Sequence, residues 1–179
     1  MIEATQKKLR EAQFFLGKLY EEDRKPVRKE PEAFSFYQSA LLSAGRSVTF
    51  ALQVEAKAQY DAWFPQWLAS LPEEDQQLLG YLKDQRNLEL HNTGSEVEMA
   101  LEFKPISAVP MTEAQRAHVA YGIQVFSIFG TPEPQVGIPR YSFSTASSNQ
   151  DNQADVVEMC RRYVCLLDQL VRAFIAAHS

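Results

Sequence analysis

The sequence predicts a mainly α fold: an up-and-down bundle of four or five helices, with a small antiparallel β-sheet inserted before the C-terminal helix. Three observations carry this expectation. Apolar residues recur at three- and four-residue spacing from the start of the chain to about residue 91, and again after residue 151. Between about residues 96 and 145 the period shortens to two and prolines punctuate the chain. Finally, 179 residues with 45% apolar and 23% charged side chains suit one soluble domain, so the insertion is expected to belong to a single domain over 1–179.

Each element follows from its own residues. From Ala4 to Arg24, Leu9, Ala12, Phe15, Leu16 and Leu19 share a face, with Lys7, Lys8, Arg10, Glu11 and Lys18 between them, which predicts an amphipathic helix. Pro26 and Pro31 bracket a charged linker. A second helix is expected from near Pro31 to about Lys57 on the repeat of Phe34, Tyr37, Leu41, Ala44, Val48, Ala51 and Leu52. Its small residues, Ser43, Ala44, Gly45 and Ser47, would let another helix approach closely. The aromatic stretch that follows carries Trp63, Phe64 and Trp67 and is expected to be interrupted at Pro65. These aromatics suit a core or a dimer interface better than a base-stacking platform.

Ser70 or Leu71 as a cap, then Pro72 and the acidic Glu73, Glu74 and Asp75, predict a helix from about 72 to 91, with Leu78, Leu79, Leu82 and Leu90 facing the core. It should stop near His91, because Asn92 to Ser95 is turn chemistry and Gly94 accepts a left-handed backbone. Strands are then expected where Val97, Met99, Leu101 and Phe103 alternate with polar or small residues. A second falls where Val119, Tyr121, Ile123 and Val125 do so, and a shorter third over Val136 to Phe143, interrupted by Pro139. A long closing helix is expected over Asp151 to Ala177, with Val156, Cys160, Tyr163, Val164, Leu167, Leu170, Val171 and Phe174 on one face.

Composition narrows the function classes. No stretch reaches the roughly 18 consecutive apolar residues of a membrane helix and the start lacks a secretion signal, so a cytoplasmic protein without a membrane partner is expected. A formal net charge of −5 argues against a broad grip on nucleic-acid backbone while leaving room for a local site. Cys160 and Cys165, five apart, point to different sides of a helix and are read as reduced packing residues rather than a bridge or a metal pair. No cofactor and no metal are expected. His118 has no second ligand candidate at metal spacing and is read as structural.

One run concentrates the chemistry: Arg86-Asn87-Leu88-Glu89-Leu90-His91. Asn87 and His91, four apart, share a helix face, while Arg86 stands about 140° from His91 and needs its long side chain to reach the same point. An imidazole exchanges protons near neutral pH and a guanidinium holds a phosphate by paired hydrogen bonds, so the two types together can break RNA without a metal. The amide of Asn87 would hold either group in position. Arg172 and His178 form a second, looser match at the C-terminus, where termini commonly fray. Arg46, among the small residues of the second helix, is read first as an arginine on the rim of the bundle, with a substrate phosphate contact as the alternative, and helical phase alone does not decide whether it lines one cleft with Tyr37. The alternative reading of Arg86 and His91 is that they are cations favoured by the dipole at a helix C-terminus.

The pattern Arg86-Asn87-x-x-x-His91 at the end of an inner helix resembles the HEPN superfamily, whose motif is arginine, a polar residue, a short spacer and histidine. The resemblance covers the helices, about two-thirds of the chain. It implies a homodimer in which two motifs meet to form one metal-independent endoribonuclease site of a toxin–antitoxin or defence system. In that site Arg86 contacts the phosphate, Asn87 orients, and His91 acts as general acid and base. Toxin members with a tyrosine two residues after the histidine are modified there by a nucleotidyltransferase antitoxin; this chain has Thr93 at that position. The same family includes noncatalytic dimeric modules that bind ligands or proteins, which is the alternative function.

Overall fold

The structure, a computed structural model, describes residues 2–25, 31–91, 97–105, 107, 125–126, 135–143 and 155–179. It is mainly helical. Five helices are described: α1 Glu3–Asp23, α2 Pro31–Glu55, α3 Lys57–Ser70, α4 Glu73–His91 and α5 Val156–His178.

Helices α1, α2 and α5 build the centre. Leu9, Ala12 and Leu19 of α1, Phe34, Leu41, Val48 and Leu52 of α2, and Val156, Cys160, Val164, Leu167 and Leu170 of α5 are buried in one core, as the helical spacing predicts, and Leu42, which the spacing did not single out, joins them. Burial of such side chains stabilises each by roughly 1.5–3 kcal/mol before conformational entropy is subtracted. Gly45 sits where the α5 ring of Tyr163 meets α2: a Cβ there would lie 2.4 Å from a ring carbon, so the two elements pack only because the side chain is a hydrogen.

The helix ends are held by specific groups. The Glu55 carboxylate, at the end of α2, accepts from the backbone N–H of Ala4 and Thr5 at 2.8 and 2.9 Å and from the Thr5 hydroxyl at 2.7 Å. It thereby supplies the N-terminal cap that α1 lacks within its own sequence. Helix α5 begins at Asp155, whose carboxylate accepts from the Val157 N–H at 2.9 Å. Arg162 of α5 reaches the first turn of α4, at 2.6 Å from Asp75 and 3.2 Å from Glu74.

Three local expectations are corrected. Helix α3 runs through Pro65 instead of stopping there. Proline removes the bond to the carbonyl four residues back, but Pro65 and Asp61 both lie on the exposed side, where water can serve that carbonyl. Ser70 does not cap α4; its hydroxyl donates back to the Trp67 carbonyl at 2.6 Å and closes α3, while the Pro72 carbonyl receives the first α4 bonds from Asp75 and Gln76. Cys165 is exposed, whereas Cys160 is fully buried, so only Cys160 is a packing residue.

The extended stretches are β1 Val97–Pro105, β2 Val125–Phe126 and β3 Gln135–Phe143. Here β1 runs antiparallel to β3 with Val97 opposite Phe143 and Pro105 opposite Gln135, and β2 meets β3 at Val136 and Gln135. Pro139 does not end β3; it lies opposite Leu101, beyond the part of β3 that the described residues of β2 reach. Residues 119–124 of the expected second strand lie outside the described residues. Tyr141 is buried and its ring stacks on Phe34 of α2 at 3.7 Å between centroids, which ties β3 to the helical core.

Candidate functional site

Helix α4 carries the Arg-to-His run on its last turns. Its inward face is anchored by Leu82, which is 1% exposed, and its outer residues follow from that anchor. Arg86 stands one turn past Leu82 and is half-buried; its Nε is shielded from solvent without a hydrogen-bond partner. Asn87 is half-buried beside it. His91 is the last helical residue, one turn beyond Asn87, and its side chain lies outside the described residues, as does Thr93. The structure therefore places Arg86 and Asn87 together at one end of α4, and gives no position for the His91 imidazole.

Arg86 differs from several arginines elsewhere in the chain. Arg161 pairs with Glu158, Arg162 with Asp75 and Glu74, and Arg172 with Asp168. For Arg86 no carboxylate partner is found among the described residues. A half-buried guanidinium without a counter-charge keeps donors in reserve for an anion.

In the second Arg-to-His match the two side chains have separate local partners. Arg172 is paired with Asp168 at 2.7 Å, and the His178 ring stacks on Phe174 at 4.3 Å with its Nδ1 2.9 Å from the Phe174 carbonyl. His118 lies outside the described residues.

One turn before Arg86 on α4, Lys83 lines a cavity of about 370 Å³ between α2, α3, α4 and α5. Arg46 and Gln53 of α2, Tyr60, Phe64 and Trp67 of α3, and Tyr163 of α5 complete its polar and aromatic walls. Arg46, which sequence spacing singled out, is thus placed in a cleft, while Tyr37 is packed against the core and does not line it among the described residues. One N–H of Arg46 donates to the Thr49 hydroxyl at 2.9 Å, and its guanidinium lies 4.1 Å over the Phe50 ring.

Burial pushes the phenols of Tyr60 and Tyr163 up to about 12, although the Arg46 charge pulls both down. Both are therefore neutral hydrogen-bond donors at physiological pH. Sequence reasoning missed Tyr60, Lys83 and Tyr163 as a group. The available signal was the small residue at Gly45, which admits the Tyr163 ring, but three helices must be assembled before these positions meet.

Trp63 faces away from this cavity, packing edge-on against Phe174 at 5.4 Å, so of the two tryptophans only Trp67 lines it. Among the described residues no group of three His, Cys, Asp or Glu is arranged to hold a metal. No helix is long and apolar enough to cross a membrane among the described residues. Compared with family models, curated proteins and solved structures, the chain matches none of them. The class that the described residues define is a mainly helical protein with an inter-helix cleft beside a half-buried, uncompensated arginine.

Proposed function

We propose that the chain is a HEPN-like endoribonuclease, acting without a metal through Arg86, Asn87 and His91 at a composite site of a cytoplasmic homodimer. The observation that carries this reading is Arg86: a half-buried guanidinium with a shielded Nε and no carboxylate partner among the described residues, next to Asn87, which is itself one turn from the helix end occupied by His91. In this reading one His91 imidazole takes the proton of a ribose 2′-hydroxyl as that oxygen attacks the neighbouring phosphorus. The bond to the 5′-oxygen breaks, and the partner copy's imidazolium returns a proton to it, leaving a 2′,3′-cyclic phosphate. Arg86 neutralises the charge that gathers on the phosphoryl oxygens, and Asn87 orients the imidazole or the phosphate.

The described strands β1, β2 and β3 are read as a three-stranded sheet inserted into an up-and-down bundle, on the antiparallel pairing of β1 with β3 and β3 with β2; the rest of the expected insertion over about 96–145 lies outside the described residues. A nucleotidyltransferase antitoxin is a candidate partner under the same reading, though Thr93 in place of a tyrosine argues for a different mode of control.

The test is cleavage of a labelled RNA pool in the presence of a chelator. The unmodified protein is expected to cut and to leave cyclic phosphate ends, while His91→Ala and Arg86→Ala, matched for folding, should each lose at least about a hundredfold in rate. Absence of cleavage by the unmodified protein would sink the catalytic reading. The second reading is a noncatalytic dimeric binding module, and the cleft lined by Arg46 and Lys83 is the observation that favours it.

A further inference from the structure

The cavity between α2, α3, α4 and α5 has a chemical character of its own. Its walls carry two cations, Arg46 and Lys83, and no acidic residue among the described residues. In a chain with 23 acidic and 18 basic side chains, a lining of that sign is a local inversion of the overall balance.

The donors in the lining are largely unspent. Among the described residues the side chains of Gln53, Tyr60, Lys83 and Tyr163 have no hydrogen-bond partner, and Arg46 commits one N–H to Thr49. By contrast the Gln76 amide, also in the lining, already donates to the Leu71 carbonyl at 2.9 Å. The same lining carries flat surfaces: Tyr60 and Phe64 are stacked at 4.8 Å, Phe64 and Trp67 lie 5.7 Å apart, and Leu79 and Leu167 add apolar wall. A volume of about 370 Å³ falls in the range of small-molecule sites, which combine mostly apolar walls with a few convergent polar groups.

We propose that this cavity binds a small molecule made of a planar ring system bearing one anionic group, the ring lying against Phe64 and Trp67 and the anion held between Arg46 and Lys83. Tyr60 and Tyr163 donate to the ligand as neutral phenols. The proposal does not depend on RNA cleavage, since it uses neither Arg86 nor His91.

Matched pairs of probes separate the two halves of the ligand. Anilinonaphthalene sulfonate carries the ring and the charge, and phenylnaphthylamine the ring alone; adenosine monophosphate and adenosine form a second pair, read by displacement of the dye and by quenching of tryptophan emission. At least one anionic probe is expected to bind about tenfold or more tighter than its neutral counterpart. Arg46→Gln and Lys83→Gln should each weaken that anionic probe about fivefold to twentyfold and leave the neutral one within about twofold. Trp67→Leu should weaken both members of a pair.

Each variant is checked for helical circular dichroism and thermal midpoint, so a loss of binding by an unfolded protein is not counted. The proposal is overturned if neither anionic probe binds below about 1 mM, if neutral and anionic members bind alike, or if folded Arg46→Gln and Lys83→Gln proteins bind as the unmodified one does. Failure of RNA cleavage by the unmodified protein, with dye binding intact, would remove the nuclease reading and leave this one standing.

Discussion

At the scale of single residues, Gly45 decides more than its size suggests. The position its Cβ would take lies 2.4 Å from one Tyr163 ring carbon and 2.9 Å from the hydroxyl, and the ring is enclosed between α2 and the core of α5. A methyl group there forces Tyr163 out of its rotamer or α2 away from α5. Gly45→Ala is therefore expected to destabilise the fold by about 1–3 kcal/mol, even though alanine favours a helix interior by up to about 1 kcal/mol. Urea unfolding measures the loss. Pairing it with Tyr163→Phe and with Tyr163→Ala decides the cause: the hydroxyl alone contributes little to the clash, whereas removing the ring should abolish most of the Gly45→Ala penalty. An additive double variant with Tyr163→Ala would show that the ring contact is not responsible.

At the scale of elements, α1 depends on a residue fifty positions away. Glu55 meets the first N–H groups of α1 with both carboxylate oxygens. The water lost where its carboxylate meets α1 raises its affinity for a proton, but the bonds from the Thr5 hydroxyl and from the Thr5 and Ala4 N–H groups outweigh this and hold its carboxyl below the ordinary range. A group with a folded value below its unfolded one contributes stability that is present above the unfolded value and is lost as pH falls through the folded one. Replacing Glu55 by Gln should thus flatten the acid limb of the stability curve below about pH 4.5, while Glu55→Ala should cost about 0.5–1 kcal/mol at neutral pH, the lower part of the capping range because the side chain is exposed and screened. Chemical denaturation from pH 3 to pH 7 checks both, and an unchanged acid limb in Glu55→Gln would count against the cap.

The same pair of helices shows what the sequence makes legible. The apolar period of α1, α2 and α5 located their buried faces, because burial on a helix is a local pattern. The cap was not visible, since nothing at Ile2 marks a helix start and Glu55 is brought to it only by folding. Pro65 misled for a related reason: propensity counts the lost hydrogen bond, but not the anchoring of Tyr60, Phe64 and Trp67 on either side of it. Spacing singled out Arg86, Asn87 and Arg46 as candidates but did not decide whether Arg46 lines a cleft, and the grouping of Arg46 with Lys83, Tyr60 and Tyr163 needed four helices assembled.

At the scale of the whole molecule, α2 carries the strongest argument for a second copy. Between Glu32 and Glu55 its only charged residue is Arg46, a composition more typical of a helix covered on all sides than of one at a surface. Its core face holds Phe34, Leu41, Val48 and Leu52, yet Phe36, Phe50 and Val54 on the opposite side are 68%, 47% and 85% exposed. Ala40, Ser43 and Ser47 continue that stripe between them, so large side chains stand at its ends and small ones at its middle. Two such helices related by a twofold axis and running antiparallel would close over the small residues, with Phe36 of each meeting Val54 of the other across roughly 27 Å of helix.

The prediction is a mass of twice 20.4 kDa by light scattering at micromolar concentration, falling to 20.4 kDa for Phe36→Lys and for Val54→Glu. Combining the two substitutions should restore the dimer in part, because an antiparallel pair sets the introduced lysine opposite the introduced glutamate. A parallel pair would set like against like and would show no rescue. A monomeric unmodified protein would remove both this interface and the composite RNA site that needs two copies of His91, while leaving the cavity beside Arg46 and Lys83 within a single chain.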